Sequence, residues 1–168
     1  VIPKEIRRTM RIREGEPLEI FVDRDGEVIL KKYSPIGELG EFAQEYVDSL
    51  AEVTGYIACV LDGEAVVAVA GERQQKYLDK PVSELTERVM ENKEIEVINE
   101  ATTDIFCDGI YEEEEAYFTA QVLVPIIANE EAIGTVTLAS RDSEAHMEDL
   151  EIKLADTAAG FLAKQMEE

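Results

Sequence analysis

Leu18-Glu-Ile-Phe-Val-Asp23 and Glu27-Val-Ile-Leu-Lys-Lys-Tyr33 are two β-rich runs joined by Arg24-Asp25-Gly26. Asp25-Gly26 supplies the positive φ that a tight hairpin turn demands, and nothing more is needed to explain it. Upstream, residues 3–10 read as one short helix. Pro3 suits the first helical position, and Ile2, Ile6 and Met10 recur on one face. Arg7 and Arg8 point away from that face and Arg7 stacks one turn from Arg11, so the positive charge is displayed. The turn Glu14-Gly15-Glu16-Pro17 separates helix from hairpin.

Charge divides the chain at the same place. Residues 1–34 hold eight Lys and Arg against seven Asp and Glu, whereas residues 35–168 hold eight against 31, so a net charge of -22 splits into +1 and -23. Within Val1–Arg13, Lys4, Arg7, Arg8, Arg11 and Arg13 face Glu5 alone, a local net of +4. Such a patch is the electrostatic footprint of phosphate-backbone contact; a solvated helix face is the plainer reading of the same residues. The acidic remainder repels DNA and anionic lipid, so any nucleic acid is held by Lys4, Arg7, Arg8 and Arg11.

These first residues, Val1-Ile-Pro-Lys-Glu-Ile-Arg-Arg-Thr, Glu14-Gly-Glu-Pro-Leu-Glu-Ile-Phe-Val-Asp and Val28-Ile-Leu-Lys-Lys-Tyr, closely resemble the DNA-binding domain of AbrB-type transition-state regulators. The resemblance implies a swapped-hairpin dimer in which strands of two chains interleave. That module opens with a further strand and basic turn ahead of the stretch that begins at Val1. By this resemblance the unit at 1–34 is therefore incomplete at its N-terminus, and only the adjacent arginines Arg7 and Arg8 carry over as family DNA contacts.

Residues 35–168 have the composition of an ordinary folded domain, in a chain that is 45% apolar. Ser34-Pro35 reads as a helix cap and first-turn proline. Ile36, Leu39, Ala43, Tyr46, Leu50 and Val53 then repeat at spacings of three and four. A less regular stripe, Met147, Leu150, Leu154, Ala158, Phe161 and Leu162, marks a last helix capped by Asp142 or Ser143. The two stripes suit helices that pack together and against a partner chain, or helices that cover their own sheet. Between them lie strands at 56–61 and 65–70 around Asp62-Gly63, at 95–98, and at 120–128 and 132–139 around Asn129-Glu130-Glu131, with a helix at 82–91. Tight turns make neighbouring strands antiparallel, and the apolar run Val122–Ala128 predicts a sheet covered on both faces.

The order helix, hairpin, helix, strand, hairpin, helix resembles a GAF domain, with Val124-Pro125-Ile126 and Ile133-Gly134-Thr135-Val136 similar to its last strands. The whole chain resembles the sporulation regulators that add such a domain to the AbrB-type module. The implied architecture is α+β: a truncated hairpin module at 1–34, then a GAF-like sensory and oligomerisation domain at 35–168 with an antiparallel sheet flanked by helices. The implied function is DNA-binding regulation of late forespore genes, by activation and repression, in dimers or tetramers. The GAF cavity, between the sheet and residues 74–117, is open to a small-molecule ligand of unknown identity. Asn99–Tyr117 has no Arg or Lys, which disfavours a phosphorylated one. The short junction at 33–35 would carry a rotation of the helix after Ile36 to the hairpin.

No enzyme signature, cofactor motif or metal-ligand spacing appears. Cys59 lies in an apolar strand, as a small hydrophobe would. Cys107 raises the alternative of a thiol enzyme, since GAF-fold enzymes that reduce methionine sulfoxide use cysteines. Asp104, Asp108 and Glu112–Glu115 around it would disfavour the thiolate. His146 stands without a second His or Cys, and Glu112–Glu115 reads as a solvated acidic loop rather than a cation site. Without a membrane-length apolar run or a signal segment, the expected location is cytoplasmic, with no membrane partner. A GAF module without DNA binding is the remaining alternative.

Overall fold

The computed structural model describes residues 1–34, 36–110 and 117–167. Two units separate, Val1–Ser34 and Pro35–Glu168. In the first, helix α1 (Lys4–Thr9) precedes strands β1 (Leu18–Val22) and β2 (Val28–Lys32), which pair antiparallel with Ile20 opposite Leu30. Pro3 stands outside the helix as its N-cap, not at its first position, because its ψ of 142° is extended. The hairpin turn depends on a residue beyond the dipeptide itself: Asp23 Oδ1 accepts the N–H of both Asp25 and Glu27. Asp25-Gly26 still supplies the positive φ, 82° at Gly26.

No described residue of this unit is buried. Ile20, Val22 and Val28 are 67%, 69% and 66% exposed. Lys31 covers Phe21 from one side, 5.7 Å from the ring centre. A two-stranded hairpin without a covering layer is marginal in water, so the sequence commits this unit to a further surface.

The second unit builds a five-stranded antiparallel sheet in the order β4-β3-β7-β6-β5, from β3 (Ile57–Asp62), β4 (Val66–Ala70), β5 (Glu96–Ile98), β6 (Ala120–Ala128) and β7 (Glu131–Ser140). Alternation sorts the side chains. Ala58, Val60, Val122, Val124, Val136 and Leu138 face helices α2 (Gly40–Thr54) and α5 (Asp149–Met166). Cys59, Leu61, Leu123 and Ala139 face the other way, towards α3 (Gln74–Tyr77), α4 (Glu84–Asn92) and Ile105–Cys107. The expected antiparallel sheet covered on both faces is what forms. The open edge of β4 is closed by a side chain: the Gln44 amide donates to Val69 O at 2.9 Å and accepts its N–H at 3.4 Å, as a neighbouring strand would.

Two helix starts differ from expectation. A 3-10 turn (Ile36–Leu39) precedes α2, whose N-cap is Leu39 rather than Ser34; Pro35 lies outside the described residues. Helix α5 starts at Asp149 on a reciprocal box between Glu148 and Glu151, not at Asp142 or Ser143. Asp142 instead closes its own turn, accepting the Glu144 amide through Oδ1 and the Ala145 amide through its carbonyl. Met147 is buried but precedes the helix, held by Asn99 through both backbone groups.

The α2 stripe does two jobs. Its Ala43 and Leu50 are buried on the sheet, joined there by Val47 from outside the stripe, whereas its Val53 stays exposed, as does the neighbouring Phe42. Tyr46 meets Phe161 of α5 at 5.4 Å between ring centres.

Candidate nucleic-acid interface

Six residues of α1 carry three of the first unit's cations: Lys4, Arg7 and Arg8. The chain just after the helix determines where the rest go. Arg11 adopts a left-handed backbone, φ 55°, and the chain doubles back. The Ile12 amide then bonds Arg7 O at 2.8 Å and the Arg11 amide bonds Arg8 O at 3.2 Å, the paired closure of a Schellman motif.

This reversal returns Arg11, Ile12 and Arg13 to the side of Lys4, Arg7 and Arg8. Together these six residues line a shallow basin of about 490 Å³. Five of the six are cationic, and no carboxylate is among them. Glu16 is turned elsewhere: one carboxylate oxygen accepts the Arg13 amide at 2.8 Å, and the other lies 3.6 Å from Lys32 Nζ. The predicted candidates Lys4, Arg7, Arg8 and Arg11 are thus brought together. Arg13, counted in the charge but not singled out, joins them because the turn at Arg11 folds it back, which helical spacing does not foretell. Five like charges in one concavity repel one another and favour a polyanion.

In the second unit, the sheet face opposite α2 and α5 is packed with aromatic rings. Phe106 lies 5.8 Å from Tyr77 and 5.6 Å from Phe118 between ring centres. Arg141 ties this layer down, pairing with Glu72, donating to the Tyr77 hydroxyl at 2.6 Å and lying 4.5 Å over the Phe118 ring. The Tyr77 hydroxyl in turn donates to Glu72 at 3.1 Å. Burial raises the pKa of Tyr77, so its proton stays in the network. On the same face, Gln121 donates to Asp104 O at 3.0 Å, while Gln121 Oε1, Thr135 Oγ1 and Thr137 Oγ1 are buried acceptors with no partner among the described residues. Cations reach this region from outside 99–117: Arg141, and Lys80, whose side chain runs beside Gly109.

Neither thiol is set up for chemistry. Cys59 is fully buried, and burial first, then the charges of Cys107 and Glu72, hold its pKa well above normal. Cys107 is 2% exposed and its pKa is pushed up to about 12, by burial first and Asp108 second, against the opposing Lys80. Of the acidic neighbours visible in the sequence, Asp108 acts in this direction, but desolvation by the covering layer is the larger cause. A consequence can be measured. A thiol with its pKa raised on folding stabilises the native state fully below its unfolded value near 9, and that contribution is lost as pH climbs from about 9 to about 12. Stability to urea should therefore fall above pH 9, by at most about 1.4 kcal/mol per pH unit for each thiol. Cys107→Ala should flatten the decline, and an unchanged profile would contradict the assignment.

His146 is exposed in the segment before α5, not in its first turn. Glu112–Glu115 lies outside the described residues. Among the described residues no group of three His, Cys, Asp or Glu could hold a metal ion, and no helix is long and apolar enough to cross a membrane.

Residues 38–167 match a family model described as stage V sporulation protein T C-terminal, transcription factor. Residues 1–38 match that of antidote-toxin recognition MazE, bacterial antitoxin. Stage V sporulation protein T of Bacillus subtilis (strain 168) is 49% identical over 168 residues, covering 100% of this chain and 91% of the relative. The transition state regulatory protein AbrB of the same organism is 60% identical over 35 residues, 21% of this chain and 35% of its own. Among solved structures, the GAF domain from an Acinetobacter phosphoenolpyruvate-protein phosphotransferase superposes with a TM-score of 0.64 at 12% identity, over 76% of this chain and 81% of that one. That likeness is one of fold, and it agrees with the GAF-like order of elements.

Proposed function

The chain belongs to the stage V sporulation protein T family, and from that membership we propose that it regulates sporulation transcription by gripping duplex DNA through Lys4, Arg7, Arg8 and Arg11. The observation that carries this reading is the basin itself: five cations and no carboxylate, in a chain whose other unit is strongly anionic. Only the first unit can face a phosphate backbone; the second is repelled by it. The setting is the cytoplasm and the targets are late forespore genes, activated or repressed. The buried, unreactive thiols weigh against a thiol enzyme.

The test is fluorescence anisotropy of the full chain on AT-rich duplex at about 50 and 200 mM salt, where each phosphate contact contributes about 0.9 to the log-log slope. A slope of several units is expected. Absence of binding, or binding indifferent to salt, would remove the reading.

Association with further copies of this chain follows from two apolar surfaces. The hairpin unit buries nothing by itself and exposes Ile20, Val22 and Val28. The second unit carries an apolar groove of about 430 Å³ between α2 and α5, lined by Tyr46, Val53, Leu154 and Phe161 among others. Second copies, as dimers or tetramers, are the occupants, because the α2 stripe is apolar at regular helical spacing and α5 adds Leu154 and Phe161 beside it, so the face complements itself. Two second units of charge -23 repel, so salt should strengthen contact through the groove while it weakens contact with DNA. Sedimentation should show oligomers that lose at least one step of assembly with Val53→Asp. A monomer at every salt concentration would exclude this.

The sensing role rests with the aromatic-packed face, where Gln121, Thr135 and Thr137 offer buried acceptors. They suit a neutral or cationic hydrogen-bond donor better than a phosphate.

A further inference from the structure

Residues 72–79 cross the aromatic-packed face as a strap with one buried side chain: of these described residues, only Tyr77 is buried. The backbone bonds seen among the described residues keep 72–78 to itself, the Lys76 amide reaching Arg73 O and the Leu78 amide Gln74 O. The chain rejoins the sheet at Asp79, whose amide bonds Val66 O at 3.0 Å. Left-handed residues bound the strap, Gly71 at φ 95° and Asp79 at φ 66°, at loop positions of the kind that absorb hinge motion. The neighbouring cover is tied more firmly. Phe106 O accepts from the Ser83 amide and the Thr86 hydroxyl, and the Asp108 amide bonds Pro81 O.

Arg141, directly after β7, fastens the strap to the sheet. It pairs with Glu72 at the start of the strap and donates to the Tyr77 hydroxyl near its far end, and that hydroxyl donates to Glu72. On the face below lie Phe106, Phe118 and the buried acceptors Gln121 Oε1, Thr135 Oγ1 and Thr137 Oγ1, which have no partner among the described residues. Whatever satisfies such acceptors needs a way in.

We infer that residues 72–79 are a lid that opens over this face while the rest of the second unit stays folded, and that Arg141, through Tyr77 and Glu72, is its latch. Opening breaks the latch bonds and exposes Tyr77, a small part of what global unfolding exposes. What the lid admits rests on the sensing role proposed above; the opening itself does not.

The two thiols report the opening, because Cys59 and Cys107 are sealed in the same buried cluster as Tyr77. The experiment follows N-ethylmaleimide labelling of each thiol in the full chain, located by mass spectrometry, as urea is raised to about 1 M, below the unfolding transition. Labelling should be nearly independent of urea, since a local opening exposes little surface. Tyr77→Phe, which keeps the ring and removes the hydroxyl, should raise the rate roughly tenfold, and Arg141→Met at least as much. Both variants also lose global stability, because the latch is broken on unfolding too; the faster urea-independent labelling is what a merely structural contact would not produce. The double variant should fall short of the product of the single effects, since both changes cut one latch. Labelling that climbs with urea as steeply as global unfolding, rates unchanged in both variants, or effects that simply multiply would each overturn the inference. Should Arg141→Met not fold, Tyr77→Phe and the urea dependence of the unaltered chain decide it. Repeating the labelling with adenosine and with spermidine, a neutral and a cationic hydrogen-bond donor, separates the two readings: protection of the thiols supports a lid over a sensory face, whereas local opening without protection by either removes the sensing role and leaves the lid standing.

Discussion

Replacing Arg7 and Arg8 together by alanine should weaken duplex binding by about a hundredfold or more at 50 mM salt, because each arginine contact is worth roughly 1–3 kcal/mol. The two side chains leave one short helix and reach the same basin, so no neighbouring residue can take over both. The salt slope should fall by about 0.9 for each phosphate the variant no longer neutralises. The fold should be indifferent, since both residues are exposed and the helix's backbone bonds do not involve their side chains. Equal loss of secondary structure in the double variant would reassign them to stability. Unchanged affinity with an intact fold would leave the basin without its proposed role.

Replacing Gly134 by alanine should cost about 3–4 kcal/mol, at the upper end for overpacked interiors, and lower the melting temperature by roughly 10 °C. Gly134 lies on β7, opposite Asp62 of β3 and Ile126 of β6. A Cβ there would fall 2.1 Å from Leu61 O and 3.3 Å from Asp62 Cα, both backbone atoms of a paired strand. Relief requires β3 and β7 to part where the sheet is continuous on both sides, with its ladder bonds strained. Glycine is required here by close approach, not by a positive φ. The exposed Gly160 of α5 is the control, because a Cβ there meets nothing within 4 Å. Gly160→Ala should stabilise by about 0.5–1 kcal/mol through helix propensity. A cost below about 1 kcal/mol for Gly134→Ala in thermal or urea unfolding would show that the strands can slide apart.

The resemblance of Ile133-Gly134-Thr135-Val136 to a GAF strand was legible in the chain, but the close approach of Leu61 was not, since the two positions are far apart in sequence. The same holds at Cys107. Its acidic neighbours are visible in the sequence, whereas the burial that dominates its pKa comes from the segment that bonds Pro81 and Thr86 and packs on the sheet. At α5, Asp142 and Ser143 are good caps by composition. Glu148 won because Asn99 holds the Met147 backbone and delays the helix.

By itself the sequence determined what short-range sterics and apolar periodicity can encode: the Asp25-Gly26 hairpin, the antiparallel runs around Asp62-Gly63 and Asn129-Glu130, helices α1, α2, α4 and α5 though not the starts of α1, α2 and α5, and a cationic segment on an anionic chain. Each depends on residues within a few positions of one another. Only the tertiary structure decided which face of α2 meets the sheet and which stays open, and how Arg141 reaches Glu72 and Tyr77. Those outcomes depend on packing between distant segments, where the free energy belongs to the pair and neither partner's local sequence records it.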